Sequence, residues 1–219
     1  MTTLALVGGA EWRDGCSFDA ELLSLSGGNE VVVLPTAAAY EHPERAVEWA
    51  TRWFEGLGAK VRGLMVLRRP DAADPANADV IRHARCIYLG GGSPLHLRSV
   101  LKDSAVFQAL EEAWRTGAVV AGSSAGAMVL GDPMIDPRGG AFTLGLGLVE
   151  QLAFLPHADT WSPEKAHRTV KLAAAGLPIV AVDERTAIIR NAEGTWRVAG
   201  AGSATIYVDG EVAGLEVLK

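Results

Sequence analysis

Ser124 stands at the centre of Gly122-Ser-Ser124-Ala-Gly126, a G-x-S-x-G pattern. Residues 118–121 before it form an apolar run, and residues 127–130 after it are apolar and suited to a helix. At a strand-to-helix junction such a serine sits on a sharp turn with its hydroxyl above the strand ends. Side chains in place of Gly122 and Gly126 would crowd that turn and the approach of helix to strand. The first N–H groups of the following helix point at the same spot and would stabilise a developing oxyanion. A tight turn without chemistry has the same five residues, so the partners of Ser124 decide what it does.

A serine hydroxyl is a poor nucleophile near neutral pH and needs a base, which in turn needs an orienting group. The histidines are His42, His83, His96, His157 and His167. His83 and His96 fall on expected helices away from strand ends, and His42 lies in a loop. His157 follows the strand-like residues 153–156 and is the expected base, ahead of His167. Asp183-Glu184 closes the apolar strand 179–182, where a carboxylate without a partner would be costly. Glu184 is therefore the expected orienter, with Asp132, Asp136 and Asp159 as competitors. Ala125, next to the serine, offers one oxyanion N–H. Gly91 or Gly92, in the Gly90-Gly-Gly92 run after a neighbouring strand, offers the other. That run lacks the Lys-Ser/Thr ending of a nucleotide-binding P-loop.

The elements that must position these groups follow from periodicity. Strands are expected at 4–7, 30–34, 61–67, 86–89 and 118–121, with helices between them. Pro43 opens one helix at its first turn, where a missing N–H costs little. Its apolar residues Ala46, Val47, Ala50, Trp53, Phe54 and Leu57 recur at helical spacing. Ser93-Pro94 caps and opens another helix, residues 103–104 a further one, and residues 77–84 form a short one. Residues 68–75 read as a loop, with Arg68-Arg69 as a solvated turn. This alternation predicts an α/β fold: a doubly wound, mostly parallel, flavodoxin-like sheet. Ligands of such sheets sit beyond the carboxyl ends of the strands, where Gly8-Gly9, Gly90-Gly-Gly92 and the Ser124 turn all fall. After residue 130 a loop (131–140), a glycine-rich apolar stretch (141–148) and a helix (163–175) are expected. Strands at 179–182, 186–189, 195–198 and 204–208, with turn signals at 191–194 and 208–211, predict C-terminal antiparallel strands on the same sheet. The whole of residues 1–219 reads as a single domain.

A net charge of −6 and a sequence pI near 5.4 argue against nucleic acid or an anionic membrane as partner. Cys16 and Cys86 are too few for a disulfide framework, and Cys86, in an apolar run, reads as a buried thiol. No Cys/His spacing suggests a metal. The N-terminal residues lack a basic leader, and no apolar run approaches the roughly 20 residues of a membrane span. A soluble cytoplasmic protein is expected.

Gly91-Gly92 followed by Leu95, Gly122-Ser-Ser124-Ala-Gly-Ala127, Pro156-His157 and Asp183-Glu184-x-Thr-Ala187 together resemble the S51 serine peptidases. That family comprises peptidase E, which acts on N-terminal Asp-X, and cyanophycinase. Its fold is similar to class I glutamine amidotransferases, which carry Cys where Ser124 stands. The resemblance implies Ser124 as nucleophile and His157 as base. For the acid, the cyanophycinase-like pattern points to Glu184. The peptidase E pattern points to the loop after the nucleophile helix, where Asp136 is nearest. Glu184 is favoured because its local motif is better kept. His167-Arg168 stands where peptidase E has Thr-Arg. This implies Arg168 as a bidentate ligand for a substrate carboxylate, and with it a preference for an acidic N-terminal residue. The Gln-His-Phe and arginine-rich helix of cyanophycinases are replaced here by Pro156-His-Ala-Asp159 and by Arg168 followed by Lys171. The expected activity is that of a serine exopeptidase on dipeptides or short peptides, without metal or cofactor. The helix bearing Trp49 and Trp53 leaves room for a homodimer. Two other classes share the serine motif. An α/β-hydrolase esterase would need a late histidine, and none follows His167; a non-catalytic amidotransferase-like binding module would need no base at all.

Overall fold

The structure is a computed structural model that describes residues 2–218. Its first half runs β1 (Thr3–Val7), α1 (Phe18–Ser26), β2 (Glu30–Leu34), α2 (Pro43–Gly56), β3 (Lys60–Gly63), α3 (Arg69–Ala73) and α4 (Pro75–His83). It continues through β4 (Cys86–Leu89), α5 (Pro94–Leu101), α6 (Ala105–Arg115), β5 (Val119–Ser123) and α7 (Ala125–Leu130). Short strands β6 (Gly131–Asp132), β7 (Met134–Ile135), β8 (Phe142–Thr143) and β9 (Val149–Glu150) come next. The chain then forms β10 (Ala153–Leu155), α8 (Pro163–Lys171), β11 (Ile179–Val182), β12 (Thr186–Arg190), β13 (Trp196–Gly200), β14 (Ala204–Val208) and β15 (Glu211–Ala213).

The main sheet has seven strands in the order β13-β12-β1-β5-β4-β2-β3. The five from β1 to β3 in that order are parallel, while β12 and β13 run antiparallel beside β1. β1, β2, β4 and β5 each divide their apolar residues between two cores, as strand periodicity demands. Leu4, Leu6, Val32, Leu34, Ile87, Leu89 and Val120 enter one core with α4 to α7. Ala5, Val7, Val31, Val33, Cys86, Tyr88, Val119 and Ala121 enter the other, under α1 and α2. Caps fix the helix starts: Ser93 Oγ accepts from His96 N at 3.3 Å, and Ser104 Oγ from Phe107 N at 3.1 Å.

Three expectations need correction. Only β12 and β13 of the C-terminal strands join the main sheet; β10, β11, β14 and β15 form a second, four-stranded sheet. Local pattern identifies strands, whereas pairing is a non-local choice, and here the chain changes sheets at the Asp183–Arg185 turn. The third strand stops at Gly63, and residues 69–73 form α3 rather than a loop. Asp71 Oδ2 opens α3 by accepting from Leu67 N and Arg68 N at 3.0 and 2.9 Å. Arg69 is exposed, as expected, but stands on α3. Its guanidinium donates to the carbonyls of Val100, Lys102 and Asp103, at the C-terminal end of α5, where the exposed carbonyls favour a cation.

Cys16 and Cys86 are both buried and free. Near them Asp19 is fully buried, accepting from Trp53 Nε1 at 2.8 Å through one oxygen while the other has no partner. Burial raises its carboxyl to about 8, offset in part by the Trp53 hydrogen bond. The folded state therefore holds a proton there that the unfolded chain releases above the ordinary Asp range. Stability should fall as pH rises from about 4 toward 8, because over that window the native state binds more protons. Asp19→Asn should remove this slope. Its melting free energy relative to the wild type should gain more than ~1 kcal/mol between pH 5 and pH 8; a pH-independent difference rejects the protonated Asp19.

Candidate active site

Ser124 follows β5 directly and has φ 49° and ψ −110°. A non-glycine residue in this region is strained and persists only where its surroundings fix it. Ser124 N donates to Val7 O at 2.9 Å, and Met128 N donates to Ser124 O at 2.9 Å, which starts α7. The glycines of the motif are steric requirements. A Cβ on Gly122 would lie 2.6 Å from the Gly126 carbonyl, and one on Gly126 would lie 2.2 Å from Leu89 O.

His157 lies two residues beyond β10, itself at φ 53°, and its N–H donates to Gly8 O at 2.8 Å. Glu184 lies in the turn from β11 to β12. That turn is fastened by Arg185 N on Gly9 O at 2.8 Å and by Glu184 N on Asp159 Oδ1 at 3.1 Å. The Gly8-Gly9 turn thus holds both segments. A Cβ on Gly9 would lie 2.2 Å from the His157 ring, so the imidazole occupies the space a side chain would need.

The structure brings three of the sequence-predicted residues into one line. Ser124 Oγ is 2.8 Å from His157 Nε2, and His157 Nδ1 is 2.8 Å from Glu184 Oε1. With Glu184 accepting the Nδ1 proton, Nε2 is the free acceptor for the serine hydroxyl. The array can remove a proton from Ser124 and hold the resulting imidazolium beside a carboxylate.

Of the competing acids, Asp136 lies apart. Both its oxygens receive the Arg138 guanidinium, at 2.8 and 2.9 Å, and Arg138 holds its carboxyl at about 2. Asp132 accepts from Gly145 N at 3.0 Å, and Asp159 supports Glu184 from behind. His167 lines an apolar cavity with Leu155, Val170 and Tyr207, which includes none of Ser124, His157 and Glu184. Arg168 is exposed on α8; its guanidinium reaches Arg138 O at 3.5 Å and lies against Gly140. None of its hydrogen bonds involves Ser124, His157 or Glu184.

Ala125 opens α7, ahead of the first intrahelical bond, so its N–H is available to an oxyanion. Gly92, at φ 134°, has no room for a side chain, because a Cβ would lie 2.4 Å from Ala37 O. Its N–H has no acceptor among the described residues. Gly91 departs from expectation: its N–H already donates to Glu11 Oε1 at 3.0 Å. Glu11 is the residue that sequence reasoning missed. Its second oxygen accepts from Ser123 Oγ at 2.8 Å, which puts a carboxylate between the Gly91 and Ser124 turns. Its position just after Gly8-Gly9-Ala10, at the carboxyl end of β1, was the available signal. Among the described residues no group of three or more acidic, His or Cys side chains could hold a metal ion.

The sequence profile of peptidase family S51 matches residues 4–197. A cyanophycinase of Synechococcus elongatus is 30% identical over 216 residues, spanning 91% of this chain. The chain covers 66% of that relative's length. An uncharacterised peptidase, YgaJ of Bacillus subtilis, is 29% identical over 150 residues, 67% of this chain and 63% of that protein. Among solved structures, a peptidase from an acI-B1 Actinobacterium superposes with a TM-score of 0.84 at 26% identity, over 97% of this chain and 96% of that one. A peptidase E-type protein of Listeria monocytogenes, at 22% identity and TM-score 0.67 over 95% and 98%, shares the fold. A profile match over most of the chain, on the same fold and with these strand-end turns, makes the chain a member of peptidase family S51.

Proposed function

We propose that this S51 peptidase is a serine exopeptidase acting on short peptides, with Ser124 as nucleophile, His157 as general base and Glu184 as orienting acid. The observation that carries it is the pair of 2.8 Å contacts running from a serine on a strained elbow through His157 to Glu184. Ser124 Oγ attacks the scissile carbonyl carbon while its proton passes to His157 Nε2. Glu184 holds the Nδ1 proton and stabilises the imidazolium. The oxyanion meets the N–H groups of Ala125 and Gly92. The amine leaves with the proton from His157, and a water activated by the same imidazole releases the acyl product and restores Ser124.

Support for a short substrate comes from the cavity beside Gly91 and Gly92. It holds about 270 Å³ and is lined by Glu11 and Trp12 among others, a volume that suits a few residues better than a long chain. Cyanophycinase-type hydrolysis is a second reading, favoured by the 30% identity to a protein of that name. A library of dipeptides, longer peptides and cyanophycin, with product identification, separates the two: single residues or dipeptides released only from short peptides support the first.

Ser124→Ala should reduce turnover by about 10⁴-fold or more with little change in melting temperature, and retained turnover would reject the nucleophile. Glu184→Gln should lower kcat by about 10²- to 10⁴-fold, whereas Asp136→Asn should leave it near the wild-type value; the reverse pattern would move the acid to Asp136. Gly9→Ala should slow labelling of Ser124 by a fluorophosphonate about 100-fold, because the methyl displaces His157, and wild-type labelling would rule out that contact. Arg168→Ala should leave the ratio of Asp-X to Ala-X hydrolysis unchanged; a collapse of that ratio would place Arg168 at the substrate.

A further inference from the structure

We infer that Glu11 is the substrate-binding residue for the free α-amino group of the peptide, so that the enzyme removes residues from the amino end. This rests on the proposed Ser124 exopeptidase reading and adds the residue that reads the amino terminus.

Position comes first. Gly91 stands between Glu11 and the serine. A Cβ placed on it would lie 3.2 Å from Glu11 Oε1 and 3.6 Å from Ser124 Cβ. In a peptide whose first carbonyl is under attack, the α-amino nitrogen is two bonds from that carbon, roughly 2.5 Å away. A carboxylate one residue removed from the nucleophile is therefore within reach of the amino terminus of the first residue, and of no later amide.

Chemistry comes second. Glu11 is fixed by two neutral donors, Gly91 N–H and Ser123 O–H, and Ser123 is fully buried. Two donors leave further lone pairs free, since an ionised carboxylate offers about four acceptor sites. Among the described residues Glu11 makes no ion pair. It lines the cavity that Glu41, Arg13, His42 and Arg45 also line, with Arg45 stacked over Trp49 at 5.3 Å. Glu11 and Glu41 are the two carboxylates that line it, and Glu11 is the one bonded to the Gly91 turn. The backbone that presents it is held under strain, with Gly9, Ala10 and Trp12 all at positive φ (123°, 51° and 58°).

Coupling to the reaction comes third. A bare carboxylate on the Gly91 N–H opposes the negative charge that develops on the attacked carbonyl. An ammonium bound to Glu11 cancels that opposition in both the bound and transition states. A peptide with a blocked or missing amine gains neither effect.

Glu11→Gln tests this cleanly, because the amide is isosteric and keeps both contacts. Its oxygen accepts from Gly91 N–H, and its NH₂ donates to Ser123 Oγ, a hydroxyl that both donates and accepts. The experiment measures kcat and KM of both enzymes on a dipeptide anilide and on its desamino analogue, which lacks only the α-amino group. Losing one charge-assisted hydrogen bond should cut the amino-to-desamino ratio of kcat/KM by about 10- to 100-fold, with the desamino substrate hydrolysed faster by the variant than by the wild type. A ratio that falls less than about tenfold, whether through equal losses on both substrates or no loss on either, overturns the assignment and leaves Glu11 a positioning residue. Fluorophosphonate labelling of Ser124 is run in parallel: absence of labelling overturns the serine mechanism and this inference with it, whereas labelling with an unchanged ratio overturns this inference alone.

Discussion

The backbone of Ser124 is bent into φ 49°, ψ −110°, and the rest of the site depends on that bend being held. Such a conformation costs on the order of 1–3 kcal/mol for a residue with a side chain. It is held from three directions. Val7 O takes its N–H, α7 starts from its carbonyl, and the glycines on either side let β5, α7 and β4 come closer than side chains permit. The strain lifts the hydroxyl out of the β5 ladder and turns it toward His157.

The partners of the serine come from another layer. His157 follows β10 and Glu184 follows β11, neighbouring parallel strands of the second sheet. The two sheets share one apolar core through Phe154, Val180, Val182 and Ile206. They also meet at one polar seam, where Gly8 and Gly9 carbonyls accept from His157 and Arg185. The registration of base and acid against the nucleophile is thus a property of sheet docking. The missing side chain of Gly9 leaves a slot that the imidazole fills.

Much of this is legible in the sequence because it is local. The Ser124 elbow, the strand ends at Gly8-Gly9 and Gly90–92, and β2, β11 and β14 follow from periodicity, glycine sterics and caps. What was hidden is non-local or carried by single side chains. The second sheet needs knowledge of which strands pair, and periodicity of β11 and β14 looks the same in either sheet. The α3 turn is nucleated by one carboxylate, Asp71, inside a stretch with two prolines that reads as loop. Glu11 lay outside any motif, and its contacts with Gly91 and Ser123 arise because β1, β4 and β5 end side by side. Between Asp136 and Glu184 the local motif favoured Glu184 without deciding it; the structure adds that Arg138, two residues on, occupies Asp136.

The order of these parts along the chain has a consequence during synthesis. Ser124 and its elbow belong to the first sheet, while His157 and Glu184 arrive 33 and 60 residues later, after β10 and β11, the latter paired with β14. A ribosome-bound chain can lay down β1, β5 and the Ser124 turn with no imidazole near the hydroxyl. In the proposed mechanism, hydrolysis waits on the docking of the second sheet, which brings His157 and Glu184 to Ser124.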